Sequence, residues 1–324
     1  MNFFTIIIID IIFISALLIY FFWRDIKIKK TFLNKRKKLG YVLIAVLFFI
    51  IFCGIDAFFI EPWLIVKNEI EIKDIKISQP IKIAFISDIQ IGNHKKTAWT
   101  EKMVEKINEI QPDLILLGGD LIDNEGTFED ESQYLEPLRK ISDKYPIYYI
   151  LGNHEYGIGS QTKEDRNKQT GDRSQLLITK MKDLKITLLR NNLECPTIKN
   201  QKICLFGLDD IWSRNINFDE LKNWDKNLPL IFLTHNPDGI KIYPINQKIP
   251  DLTLAGHTHG GQIRLPFIGP LGSAQIQLPK KYYSGLNDWC GMKIFTTVGI
   301  GESGGQIRFL DPPEMAIINL KPQN

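Results

Sequence analysis

Two stretches near the start of the chain, Phe3 to Trp23 and Gly40 to Phe59, are apolar almost throughout, broken by Asp10 and Asp56. Each has the ~20-residue length with which a helix crosses a hydrocarbon core. Neither carries the polar stripe of a core helix, and the first lacks the positive start and small-residue end of a signal peptide. Both are predicted transmembrane helices. Beyond Pro80 the pattern shortens. Ile81 to Ser87, Leu114 to Leu117 and Ile147 to Leu151 are apolar runs of strand length. Between them lie helical patterns at Trp99 to Ile110, with Met103, Ile107 and Ile110 on one face, and at roughly Glu129 to Ile141. Strands alternating with helices predict parallel βαβ units. The expected organisation is a membrane anchor over 1–62, a linker over 63–80 and an α/β domain over 81–324, long enough to bury one large core.

Charge adds an orientation. The link between the apolar runs holds Arg24, Lys27, Lys29, Lys30, Lys35, Arg36, Lys37 and Lys38, which accounts for the formal net charge of +3. The positive-inside rule puts this link in the cytoplasm and the α/β domain outside, as a multi-pass protein of the cytoplasmic (inner) membrane. Asp10 and Asp56 then fall toward the outer ends of their spans, where a carboxylate costs least. The remaining sequence has no clustered basic footprint for a nucleic acid. Of the cysteines, Cys53 lies in the second apolar run and Cys290 stands alone. Cys195 and Cys204 face each other if Lys199-Asn200 is a two-residue hairpin turn, in a non-hydrogen-bonded pair where side chains approach most closely. A disulfide, suited to an oxidising compartment, and two buried thiols are both open. Gly260 to Arg264 is echoed by Gly304 to Arg308, which reads either as two matching loops at one face or, first, as short coincidence.

Five clusters then carry the chemistry: Asp88-Ile89-Gln90, Gly119-Asp120, Gly152-Asn153-His154-Glu155, Thr234-His235-Asn236 and Gly256-His257-Thr258-His259. Alone, an Asp after a strand is ordinarily a helix N-cap, and Gly-Asn a turn. Together they collect four of the five histidines, leaving His94 as a surface residue. Ligands gather beyond the carboxyl ends of parallel strands, so Asp88, Asp120 and Asn153 are expected at one sheet edge. Asp88 offers an anionic oxygen, and Asp120 a carboxylate able to bridge two cations. Gln90 and Asn153 offer neutral oxygens, and His235, His257 and His259 neutral imidazole nitrogens. Two ions about 3.5–4 Å apart would hold a phosphoryl group and activate a water. His154 would face the phosphate, stabilising charge or protonating the leaving group.

This set resembles the calcineurin-like metallophosphoesterase superfamily, whose pattern is D-x-H, G-D, G-N-H-[DE], H and G-H-x-H. The resemblance covers about Ile81 to Leu320. It implies a two-sheet αββα sandwich, an α/β fold. It implies one metal held by Asp88, Gln90, Asp120 and His259, a second held by Asp120, Asn153, His235 and His257, and His154 in the catalytic role. Asn236-Pro237-Asp238, Gly260-Gly261-Gln262 and Pro312-Pro313-Glu314 are similar to the membrane-anchored or secreted bacterial branch.

Two departures refine the expectation. The first motif's His is Gln90, a harder neutral donor that favours Mn²⁺ or Mg²⁺ over Zn²⁺ or iron. It is similar in this to the manganese-dependent ADP-ribose/CDP-alcohol diphosphatases of the superfamily. The Gly-Asp motif continues Leu121-Ile122 instead of the Arg-Gly of protein phosphatases, which argues against a protein substrate. Two features bear on substrate choice: the polar stretch Tyr156 to Thr170 as a lid or binding wall, and Arg264 as a partner for a phosphate oxygen. The expected function is hydrolysis of a phosphodiester, pyrophosphate or phosphomonoester in an envelope or lipid-linked substrate. The alternatives are a UDP-2,3-diacylglucosamine hydrolase of lipid A synthesis and a non-catalytic metal- or phosphate-binding scaffold.

Overall fold

The computed structural model describes residues 3–92, 94–124, 129–159, 171–244 and 246–323. Its first helix, Phe3–Lys27, packs antiparallel on Lys37–Ile55. Gly40 lies against Ile26, and Gly54 against Ile12 and Ile8, so the helices approach closely at both ends of the pair. The link is tied by Asn34 Nδ2 donating to Ile26 O at 2.7 Å and Leu33 N donating to Asp25 at 3.1 Å. Apolar side chains such as Phe13, Phe48 and Phe49 point outward and are exposed. By length and composition both helices are apolar enough to cross a membrane. The second continues through the π-helical turn Asp56–Ile60 and the 3-10 turn Glu61–Trp63 into the folded domain.

That domain is an α/β fold of two six-stranded sheets. The first runs Val66–Ile75, Glu314–Pro322, Ile81–Ile86, Leu114–Leu117, Ile147–Tyr149, Thr187–Leu188. All its pairs are parallel except Glu314–Pro322 on Ile81–Ile86. The second runs Gly285–Trp289, Met292–Thr296, Leu252–Ala255, Leu230–Leu233, Cys204–Gly207, Asn192–Glu194. Its four central strands are parallel and its outer pairs antiparallel. Side chains of period two from both sheets, among them Phe85, Leu116, Leu205, Leu233, Leu254 and Phe295, form the core between them. A second core lies between the first sheet and its helices, where Trp99, Met103 and Ile107 of helix Thr97–Ile110 are buried. The outer face of the second sheet is covered chiefly by short 3-10 turns at Asp219–Asn223, Pro237–Ile242 and Lys280–Tyr283.

Three features differ from the sequence reading. The expected linker 63–80 holds strand Val66–Ile75, which pairs with Glu314–Pro322 at the sheet edge. Its alternation of Ile with charged residues is the mark of a half-buried edge strand. The helix expected over Glu129 to Ile141 is 3-10 over Glu131–Leu138 and α-helical over Arg139–Ser142. Pro137 lacks the N–H that an α-helical turn needs there. The echoed segments lie side by side: Ile263 bridges Phe309, and Gln262 Nε2 donates to Gly305 O and Ile307 O.

The hairpin register follows the expectation. Thr197 pairs with Lys202 and Ile198 with Gln201, while Lys199 and Asn200 adopt φ of 48° and 59° in the turn. Cys195 and Cys204 are bridged, whereas Cys53 and Cys290 are free. Residues 160–170 of the expected lid lie outside the described set. Its flanks are pinned by Asn124 Nδ2, which donates to His154 O at 2.7 Å and Gly171 O at 2.9 Å.

Candidate metal centre and active site

Each functional side chain follows a parallel strand by a few residues. Asp88, Asp120 and Asn153 follow Ile81–Ile86, Leu114–Leu117 and Ile147–Tyr149 of the first sheet. His235 follows Leu230–Leu233, and His257 and His259 follow Leu252–Ala255 of the second. The sheets are joined at this edge by His257 N, which donates to both Asp88 oxygens at 2.9 and 3.1 Å. Backbone strain gathers here: φ is 53° at Asp88, 50° at Gln90, 49° at Asp120, 69° at His257 and 48° at His259. Non-glycine residues rarely adopt this left-handed region, and such outliers cluster at functional sites.

Asp120 lies at the centre. His235 Nε2 approaches its Oδ2 at 3.0 Å, Gln90 Nε2 at 3.3 Å and His154 Nε2 at 3.9 Å. On the first-sheet side, His259 Nε2 lies 3.5 Å from Asp88 Oδ1. On the other side, one ligand atom each from Asp120, His235 and His257 lie within 4.8 Å of one another. The imidazoles are oriented from behind. Nδ1 of His154, His235 and His259 faces the carbonyls of Asp123, Gly118 and Gly301 at 2.5, 2.8 and 3.3 Å. That arrangement leaves each Nε2 turned to the site, the orientation of metal-binding or proton-transferring histidines.

Three buried atoms test whether a metal fits: Gln90 Oε1, Asn153 Oδ1 and His257 Nε2 have no hydrogen-bond partner among the described residues. In each case another polar group of the side chain is engaged: Gln90 Nε2 with Asp120, Asn153 Nδ2 with Ile158 O, and His257 Nδ1 with His235 Nε2. Buried acceptors are costly to leave unmatched, and all three belong to the expected ligand set. The residues fit a divalent cation centre. Burial pushes Asp88 up to about 6. Burial opposes charge on His235, yet the Asp120 carboxylate outweighs it and raises the imidazole to about 10. Burial and then His235 hold His257 down at about 3.

Two buried carboxylates have roles that the sequence does not assign: Glu155, named only as part of its motif, and Asp210. Glu155 accepts from Asp120 N, Leu121 N, Ile122 N and Gly152 N at 2.7–3.2 Å, locking together the loops that carry Asp120 and Asn153. Asp210 follows the strand beside that of His235, and its Oδ1 is buried without a hydrogen-bond partner among the described residues. Burial raises it to about 7. The adjacent Trp212 sets its ring edge-on to His257, with centroids 4.8 Å apart. Position relative to neighbouring strand ends was the only signal for Asp210. Arg264 donates to Ser284 Oγ at 2.7 Å and lies 3.7 Å from Asp311. His94 is exposed.

The fold and this centre are of the class found in metal-dependent phosphoesterases. A family model described as calcineurin-like phosphoesterase matches residues 81–261, and the chain belongs to that family. It is similar to the uncharacterized metallophosphoesterase YkuE of Bacillus subtilis, 31% identical over 82% of this chain and 89% of the relative. Phosphodiesterase YaeI of Escherichia coli is 31% identical over 74% and 82% of the two chains. An uncharacterized metallophosphoesterase of Helicobacter pylori J99 is 30% identical over 77% of this chain, which spans 62% of that relative's length.

Proposed function

We propose that this chain is a membrane-anchored, two-metal phosphohydrolase acting on an extracytoplasmic phosphodiester, pyrophosphate or phosphomonoester of a small-molecule or lipid-linked envelope substrate. The observation that carries the reading is the cluster of Asp120, His235 and His257 with three buried, unpartnered atoms of the expected ligand set, Gln90 Oε1, Asn153 Oδ1 and His257 Nε2, at the same strand ends. Asp88, Gln90, Asp120 and His259 would hold one cation; Asp120, Asn153, His235 and His257 the other. Mn²⁺ is the first choice, ahead of Mg²⁺, iron or Zn²⁺, because Gln90 supplies a hard oxygen. When bound, the cations supply Lewis acidity to the phosphoryl group and the attacking water. His154 sets Nδ1–H on the Asp123 carbonyl, which turns Nε2 toward the site, where in its protonated form it would donate to a leaving oxygen. Arg264 has guanidinium N–H groups beyond the one donated to Ser284 with which to meet a phosphate oxygen. The name of the Escherichia coli relative favours a diester among the three bonds.

Two apolar helices, the basic link and the Cys195–Cys204 bridge support an inner-membrane anchor with the domain outside. The same orientation argues against UDP-2,3-diacylglucosamine, a cytoplasmic-face substrate. Elemental analysis of the purified protein, with turnover of bis-p-nitrophenyl phosphate, tests the chemistry. Two ions per chain and metal-dependent turnover are expected; metal without turnover would leave a scaffold. Labelling exposed Cys290 in intact spheroplasts with an impermeant maleimide tests the topology, and a signal appearing only after lysis refutes it.

A further inference from the structure

The apolar helix pair ends on the catalytic domain, against a loop that backs one half of the metal centre. Ala57 O accepts from Arg308 N at 3.0 Å, and the buried Glu61 carboxylate accepts from Leu310 N and Asp311 N. Pro62 O accepts from Lys95 Nζ at 2.9 Å, while Trp63 meets Trp99 edge-on at 5.6 Å. The Lys95 and Arg308 side chains are buried, both contact Glu302 Oε1, at 2.8 and 3.3 Å, and both reach carbonyls of the 298–302 loop. Arg308 Nη2 donates to the carbonyls of Val298, Gly299 and Gly301 at 2.8, 3.3 and 2.6 Å. Lys95 Nζ donates to Ile300 O at 2.9 Å.

This loop touches the proposed first metal's ligands. Gly301 N donates to Asp88 O at 2.6 Å, and Gly301 O faces His259 Nδ1 at 3.3 Å. A Cβ at Gly299 would lie 2.7 Å from Asp88 Cβ, and one at Gly301 the same distance from Gln90 Cβ. None of these contacts reaches Asn153, His235 or His257. We infer that the exit segment Ala57–Trp63 is a structural part of the metal centre and that Arg308 is its positioning residue, holding the 298–302 loop so that Asp88, Gln90 and His259 complete the first metal site.

The inference rests on the two-metal reading and predicts an asymmetric loss. Removing a group that orients metal ligands from behind typically costs about 10–100-fold in metal affinity. Mn²⁺ titration of the full-length chain in detergent, followed by electron paramagnetic resonance, reads the two ions separately. Arg308→Met should weaken one ion about 10–100-fold, leave the other near its wild-type affinity and abolish the spin-coupled signal of a pair. Arg308→Lys keeps the charge without the fork and should restore little. Glu61→Gln is the milder arm: it keeps the side-chain shape and should weaken the same ion several-fold. Unchanged affinities in Glu61→Gln, or equal weakening of both ions in either variant, overturn the inference even if Arg308→Met fails to fold. A wild-type protein that binds fewer than two ions instead overturns the two-metal reading itself.

Discussion

Glu155→Gln probes the clamp between the Asp120 and Asn153 loops. The wild-type carboxylate accepts four backbone N–H groups, two at each oxygen. The amide retains one accepting oxygen and sets an NH₂ group against the other pair. Each buried N–H left without an acceptor costs about 1–3 kcal/mol, so the two sum to about 2–6 kcal/mol. At about 2–4 °C per kcal/mol for a domain of this size, the expected fall in Tm is roughly 4–24 °C. Burial, and then the Asp120 charge, raise the Glu155 carboxyl to about 7. Because its folded value lies above its unfolded one, this group loses stability for the fold as pH rises toward 7, and is charged above it. Calorimetry of metal-free protein at pH 8 therefore compares Gln with an ionised carboxylate. Mn²⁺ affinity should fall with Tm, since Asp120 and Asn153 stand on the loosened loops. A Tm within about 2 °C of wild type, with unchanged Mn²⁺ affinity, would refute the clamp.

Gln90→His should move the activity preference from Mn²⁺ toward Zn²⁺ or iron, and Gln90→Ala should weaken Mn²⁺; superimposable Mn²⁺ activation curves for all three forms would sink the ligand assignment. Asp120→Ala should remove both ions, and two ions per chain by elemental analysis would refute the bridge. His154→Ala should keep both ions while lowering kcat about 10²–10⁴-fold; loss of metal would make it a ligand. Replacing Cys195 and Cys204 by serine opens a loop with a sequence separation of 9 and should cost about 2–3 kcal/mol in a urea melt, so an unshifted midpoint counts against a stabilising bridge.

The parts legible in the sequence were those encoded locally. Leu114–Leu117, before Asp120, is buried on both sides and reads as an unbroken apolar strand, and Ile81–Ile86, before Asp88, does so apart from half-buried Lys82. The Lys199-Asn200 turn fixes the register of its hairpin and with it the facing cysteines. Asp120, His235 and His257, which the fold brings together, stand out in the sequence because their motifs are rare in that combination. What escaped depends on distant partners. Val66–Ile75 carries the alternation of a strand, but its place at the sheet edge follows only once Glu314–Pro322 returns beside it. Nothing local reveals that Lys95 and Arg308, ordinarily surface residues, are buried together on Glu302. The repeated segment ending in Arg308 was visible, but pairing between its two copies requires the closed fold.

The proposed donor set also bears on why the centre would favour an anion. Two divalent cations would bring four positive charges, and Asp88 and Asp120 return two; Gln90, Asn153 and the imidazoles return none. The loaded centre would stay cationic, in a buried setting where charge is weakly screened. Gln90 in place of histidine exchanges one neutral donor for another. It changes hardness and leaves this charge balance intact, so metal preference can shift while phosphate attraction persists. Asp210 supplies a further carboxylate at the neighbouring strand end, and nearby cations would favour its ionised form. The net charge would then fall by one, closer to the single charge of a phosphodiester than to the double charge of a phosphomonoester. Asp210→Asn should accordingly raise the ratio of monoester to diester turnover; an unchanged ratio would separate Asp210 from substrate choice.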